Sequence, residues 1–143
     1  MDIMNRMHSA EHLLTAVMRR DFGAPRNIEM HLGPKKSKCD YEISRPFTAE
    51  DLAAVQSAVN AEIDEDHPVS DESIPLDQAR QFFDLWKVPE GVSTVRIVHM
   101  GALTSMPCSG NHVAHTAEIG RFRAKSFTMK TDTIVRIRYT IEE

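Results

Sequence analysis

Two cysteines in 143 residues are too few for a disulfide framework. They also sit in unlike surroundings. Cys39 lies in an alternating, strand-like stretch, whereas Cys108 is followed by Ser, Gly, Asn and His. The sequence therefore predicts a buried, inert thiol at Cys39 and a working one at Cys108. Long hydrophobic runs are missing too. No apolar stretch approaches the ~20 residues needed to span a bilayer, and the first residues lack the apolar segment of a secretory signal. A cytoplasmic protein with no membrane partner is expected. Repeats, linkers and low-complexity tracts are also lacking, and the length suits one core-bearing domain rather than two. Aromatics make up only 6% of the chain, with a single tryptophan, Trp86.

Positive charge is absent over a long interval. From Phe47 to Ala79 there are nine acidic residues and no Lys or Arg. Basic residues gather elsewhere: Arg121, Arg123, Lys125, Lys130, Arg136 and Arg138 near the end, and Lys35, Lys36 and Lys38 earlier. The formal charge of −4 thus leaves room for a polyanion on one face. The acidic stretch is expected to be a solvated helix face that stays clear of nucleic acid.

Residues 4–21 carry the helical spacing, with Met7, Ala10, Leu13, Leu14, Val17 and Met18 as a core stripe and Gly23 and Pro25 as stops. Alternation around Met30 and around Cys39–Tyr41, separated by Gly33-Pro34-Lys35-Lys36, predicts a hairpin. Thr48-Ala49-Glu50-Asp51 reads as a capping box opening a second helix, whose stripe is Leu52, Val55, Val59 and Ile63. A short strand over 69–74 and a third helix over 77–86 follow. Ala79, Phe82, Phe83 and Trp86 are assigned to that helix's core side. A strand through Val95 and Ile97, a non-helical loop around Cys108, and strands over 119–128 and 133–141 complete the chain. The fold class expected is α+β, a mostly antiparallel sheet with helices packed on one side, in a single domain spanning 1–143.

The chemistry rests on two pairs. His8 and His12 are four residues apart, which on a helix is a rotation of about 40° and a rise of about 6 Å, so both imidazoles leave one face. Cys108 and His112 repeat that spacing some hundred residues later. Together they form a four-ligand N/S set of the kind Zn²⁺ takes at tetrahedral geometry. Zinc makes hydroxide available near neutral pH and polarises carbonyls, but a catalytic site needs an open position, and four protein ligands suit a structural one. His8-Ser9-Ala10-Glu11-His12 also matches H-x-x-E-H, a zinc-peptidase signature with Glu11 as base and a third ligand to be sought near Glu62. That alternative leaves Cys108 and His112 without a role.

With both pairs in view, the chain resembles the editing domain of alanyl-tRNA synthetase, and most closely the short free-standing AlaX-type proteins. The resemblance is carried by His8–His12 running into Leu13-Leu14, by Cys108–His112, by Thr116-Ala117-Glu118-Ile119-Gly120, by the helix with Asn60 and Ile63, and by Phe83-Asp84-Leu85 leading into Val88-Pro89-Glu90. The related editing domain of threonyl-tRNA synthetases shares the metal motifs and matches less well beyond them. There are departures: Asn111 stands where many members have threonine, Ala117 where they have glycine, and Glu11 where the residue is more often neutral.

The resemblance implies a hydrolase that cleaves the aminoacyl ester of mischarged tRNA, chiefly seryl-tRNA bearing the alanine acceptor. No aminoacylation core is recognisable, so the expected substrate is tRNA already released by a synthetase. It further implies Zn²⁺ on His8, His12, Cys108 and His112, with the metal-activated water attacking beside His8 and His12. Thr116 and Glu118 are expected to shape the pocket, Thr15, His31 and Asn111 to meet a serine hydroxyl, and Lys35, Lys36, Arg121 and Arg123 to contact phosphates of the tRNA acceptor end. A zinc-stapled tRNA-binding module without catalysis is the alternative.

Overall fold

A computed structural model describes residues 2–142. The first helix, α1 (Ile3–Phe22), opens with Asp2, whose carboxylate accepts from the Met4 amide at 2.7 Å. It closes at Gly23, which takes the left-handed conformation at φ 67°. Arg19 and Arg20 in the last turn suit the negative end of the helix. Twelve consecutive positions apart from His8, from Arg6 to Met18, are buried. This is far more than one amphipathic stripe, so α1 is covered on several sides.

Strands β1 (Asn27–His31) and β2 (Ser37–Glu42) form the expected antiparallel hairpin, with Met30 opposite Cys39. Helix α2 (Ala49–Asp64) begins at the capping box. The Thr48 hydroxyl accepts from the Asp51 amide at 3.1 Å, and the Asp51 carboxylate accepts from the Thr48 amide at 2.9 Å. The Arg45 guanidinium, 2.6 Å from Asp51, holds that carboxyl down at about 2. Strand β3 (Val69–Pro75) and helix α3 (Leu76–Phe82) follow, then β4 (Thr94–Met100), β5 (Thr104–Pro107), a 3₁₀ turn over Thr116–Ile119, β6 (Arg121–Met129) and β7 (Ile134–Glu142).

The strands form two antiparallel sheets, not one. The larger has the order β1-β2-β7-β6 and the smaller β3-β4-β5. Alternating hydrophobicity reports that a strand has a buried face, and it does not say which sheet supplies the partner. The α+β class holds, with helices packed to one side. The main core joins Met7, Leu13, Leu14, Val17 and Met18 of α1 to Val55, Val59 and Ile63 of α2, and to Cys39, Tyr41, Phe122, Ile137 and Tyr139 from the large sheet. Asn60 on α2 ties the edge strand β6 in place. Its amide donates to the Phe122 carbonyl at 3.0 Å and accepts from the Phe122 amide at 2.8 Å. Cys39 is fully buried, and burial raises its thiol far above the usual range.

The third helix departs from expectation. It stops at Phe82, because Phe83 adopts extended backbone (φ −131°, ψ 151°). The positions assigned to one helical side therefore do not share a face. Ala79 and Phe83 pack in a small second core with Ile74, Val95 and Ile97, while Phe82 is 69% and Trp86 44% exposed. The assignment of Phe82 and Trp86 to the core is thus corrected.

The two kinds of stabilisation should separate in urea denaturation. Leu13→Ala removes a fully buried side chain from the centre of the core and should cost about 2–5 kcal/mol. Thr48→Ala removes only the cap of α2 and should cost about 1 kcal/mol. A smaller loss for Leu13→Ala than for Thr48→Ala would contradict this arrangement of the core.

Candidate metal centre

Helix α1 presents a second face opposite its core stripe. His8, Glu11, His12 and Thr15 leave it one turn apart and line a cavity of about 430 Å³. The far wall comes from β4, β5 and the loop after α3. Cys108 and His112 arrive on the irregular segment after β5. Their donor atoms and those of His8 and His12 all lie within 4.8 Å of one another. Cys108 Sγ is 3.4 Å from His8 Nε2 and 3.4 Å from His112 Nε2. Donors at 2.0–2.3 Å from a tetrahedral ion stand roughly 3.3–3.8 Å apart, so the two 3.4 Å spacings suit one.

Further groups hold the donors in place. Ser9, between the two helix histidines, bonds His112 Nδ1 at 3.0 Å and accepts from the Val113 amide at 3.0 Å. Such a bond at one ring nitrogen directs the other toward the site. Arg96 on β4 donates to the Cys108 and Gly110 carbonyls at 2.9 and 2.7 Å, and is itself held by Asp71 at 2.6 Å. Gly110 is needed for space. A Cβ there would stand 2.3 Å from Cε1 of the His8 ring.

The electrostatics leave the imidazoles neutral. Burial, with His8 and Arg96 adding to it, pushes His12 down to about 3. Burial and the neighbouring His12, His8 and Arg96 push His112 to about 2. His8 is lowered by burial against the opposing pull of Glu11, and burial raises the Cys108 thiol against the Gly110 amide. Neutral imidazoles offer lone pairs to a metal rather than protons. His12 Nδ1 is buried with no hydrogen-bond partner among the described residues, a cost of about 1–3 kcal/mol in an unliganded site. The donor set fits a metal ion.

Glu11 is buried beside this cluster. Its Oε2 accepts from Thr15 at 2.7 Å and Asn27 at 3.3 Å, while Oε1 lies 3.8 and 3.9 Å from the Nε2 atoms of His8 and His12. Thr15 gives its one proton to Glu11, so the Tyr41 hydroxyl, 2.8 Å away, donates to Thr15. The carboxylate ligand that the peptidase reading asks for is not in the cluster among the described residues. Glu62 is directed to His67 at 3.6 Å and Arg20 at 4.0 Å, outside the cluster.

Of the side chains expected to shape the pocket, Thr15 lines the cavity, and His31, Asn111, Thr116 and Glu118 do not. His31 follows Met30, a lining residue, so strand alternation sends it to the opposite face. Asn111 is exposed. Thr116 is fully buried, accepting from the His67 amide at 2.8 Å and donating to the Glu62 carbonyl at 3.3 Å. Glu118 accepts from the His115 amide at 3.0 Å. Both secure the turn before β6. Lys35, Lys36, Arg121 and Arg123 also lie outside the cavity lining. The two lysines are exposed in the β1–β2 turn, Arg121 pairs with Asp64, and Arg123 pairs with Glu142 at 3.1 Å. The cations around the cavity are instead Arg19, Arg26, Lys87 and Arg96. No spacing rule pointed to these four, or to Ser9 and Asn27.

Residues 95–138, which contain the Cys108 loop, match the family described as the threonyl and alanyl tRNA synthetase second additional domain. An alanine–tRNA ligase of Xanthomonas euvesicatoria pv. vesicatoria is 33% identical over 121 residues, covering 83% of this chain. Alanine–tRNA ligases of Xanthomonas campestris pv. campestris and Xanthomonas oryzae pv. oryzae are 33% and 32% identical over the same length. The chain carries a second additional domain like that of the threonyl and alanyl tRNA synthetases. It spans 14% of the length of these ligases, so the likeness concerns this domain and not the whole ligase. The domain's α+β fold agrees with that of the synthetase editing domains. No described helix is long and apolar enough to cross a membrane.

Two outcomes are expected of this geometry. Gly110→Ala should displace the His8 ring and weaken metal binding by about 10- to 100-fold while the far-ultraviolet circular dichroism is kept; a chelator-competition titration measures it. The pH dependence follows from His12 and His112. Their folded pKa values of about 3 and about 2 lie below the unfolded value near 6.5. The stability gained by keeping them neutral is complete above pH 6.5 and is lost as pH falls toward 3 and then 2. Metal-free protein should therefore show a melting temperature that declines steadily below pH 6.5, and a flat profile from pH 7 to 4 would contradict it.

Proposed function

We propose that this domain, extending over residues 1–143, is a zinc-dependent hydrolase that cleaves the ester between a wrongly attached amino acid and tRNA, acting on free charged tRNA in the cytoplasm. The observation that carries the reading is the convergence of His8, His12, Cys108 and His112 within 4.8 Å at the wall of a cavity, in a chain similar over 83% of its length to alanine–tRNA ligases. Three imidazoles and a thiolate are a zinc donor set. Zinc bound there would polarise the ester carbonyl and make hydroxide available near neutral pH.

The chain's own residues do the rest. Ser9 and Arg96 keep His112 and the Cys108 loop in register, and His8 and His12 offer neutral nitrogens from a rigid helix. In this reading the amino-acid side chain meets the polar group formed by Thr15, Glu11 and Asn27. Glu11 Oε1 makes no hydrogen bond within the described residues, and Asn27 Oδ1 is buried without a partner. A serine hydroxyl can donate to such an acceptor, whereas alanine leaves it unpaired. This kind of difference supports discrimination of up to about 10⁴-fold. His31, Asn111, Thr116 and Glu118 have no contact with the amino acid in this scheme. The Lys35–Lys36 turn remains a candidate for phosphate contacts farther along the tRNA, which would position it without reading sequence.

A complete set of four protein ligands favours a second reading, a structural zinc in a tRNA-binding module. Single-turnover deacylation separates the two. Seryl-tRNA should be hydrolysed at least about 10²-fold faster than alanyl-tRNA, with glycyl-tRNA between them. Chelation, or Cys108→Ala, should lower the seryl rate by about 10²- to 10³-fold. Loss of zinc that leaves hydrolysis unchanged would favour the binding module.

A further inference from the structure

Trp86 and Phe82 are the two most exposed large aromatic side chains among the described residues, and both line the cavity that holds the metal cluster. The small core beneath them is complete without them, because Ala79, Phe83, Leu85 and Val88 already cover Ile74, Val95 and Ile97. Their exposure is therefore not the edge of a packing layer. The charge around them is also specific. The Arg26 guanidinium lies 4.7 Å from the centre of the Trp86 ring and is held by Asp84 at 2.9 Å. The Lys87 ammonium is 5.0 Å from the same ring. Arg19, exposed on the last turn of α1, borders the same cavity and has no acidic partner among the described residues. A ring with Arg26 and Lys87 over it, in a cavity of about 430 Å³ that Arg19 also borders, has the size of a small-ligand site and not of a duplex groove. Stacking on an aromatic ring with cations at the phosphate is how proteins hold single-stranded nucleic-acid ends.

We propose that Trp86, with Phe82 beside it, is the stacking platform for the unpaired 3′-terminal base of the RNA arm of the substrate, and that Arg19, Arg26 and Lys87 receive its phosphates. This assignment rests on the tRNA-ester reading of the metal site and supplies what that reading lacks, a holder for the nucleotide that carries the ester. The exocyclic groups of the base are not read in this scheme. The platform fixes the distance from the last nucleotide to the histidines.

Trp86 is the single tryptophan of the chain, so its fluorescence reports this position alone. The experiment titrates the zinc-loaded protein with an uncharged RNA hairpin ending in single-stranded CCA, and with the same hairpin lacking the terminal adenosine. The CCA hairpin should quench Trp86 saturably and bind about 5- to 100-fold more tightly than the shortened one. With a dye on the RNA, Trp86→Ala should lose that preference and Trp86→Phe should keep most of it, and circular dichroism checks that both variants are folded. Equal affinity for the two hairpins with unchanged Trp86 fluorescence overturns the proposal. So does quenching by an acidic peptide where RNA has no effect, since the cations would then serve a protein partner. Because uncharged RNA is used, the readout does not depend on hydrolysis. Deacylation with a silent Trp86 sinks the platform alone, whereas a responding Trp86 with no deacylation supports the platform and sinks the hydrolase.

Discussion

The structure depends on the burial of α1 on more than one side. A helix at a surface satisfies its apolar stripe and leaves the rest to water. Here one face of α1 closes the main core against α2 and the large sheet, and the opposite face forms the wall of the cavity. A third line of contact runs through Ser9, which holds His112 and the Val113 amide. A helix fixed in this way cannot rotate without opening the core. The His8 and His12 rings are therefore placed by hydrophobic packing at Leu13, Leu14 and Val17 as firmly as by any polar contact.

Against that rigid half stands a segment with no regular structure. The loop bearing Cys108 and His112 is held by point contacts: two carbonyls on Arg96, one hydroxyl from α1, and the His8 ring packed against Gly110. Arg96 belongs to the small sheet, and Ser9 and His8 belong to the helix that sits on the large one. The four donors therefore bridge the helix on the large sheet and the loop that leaves the small one. A metal bound between them would couple the halves of the molecule as well as serve chemistry, and the His12 and His112 imidazoles stay neutral because burial makes their charged forms unfavourable.

Legibility from sequence varied with the range of the interaction. Local signals were read with near-correct bounds: the stripe and Gly23 stop of α1, the capping box of α2, and the hairpin around Gly33. Each is written in residues a few positions apart. The helix expected over 77–86 ends early: Phe82, Phe83 and Trp86 have the spacing of a helical face, while the chain turns extended at Phe83. That break moved two aromatics from the core to the rim of a cavity. Thr116 and Glu118 belong to the segment expected to shape the pocket, yet their bonds run to His67, Glu62 and His115 and secure a turn.

What the sequence by itself determined was chemical type: two helical histidines, a Cys/His loop with matching spacing, an α+β alternation of elements, and an apolar pattern for each. Those follow from side-chain identity and periodicity, which are local properties. Tertiary structure decided which residues share a space. It divided the strands between two sheets, brought Ser9 and Arg96 to the metal donors, set Asn27 on Glu11, laid Arg26 over Trp86 and put Arg19 on the same cavity. Such pairings cross from 12 to 103 residues and depend on the closing of the whole core. No residue in them carries a mark, in its own neighbourhood, of the partner it will meet.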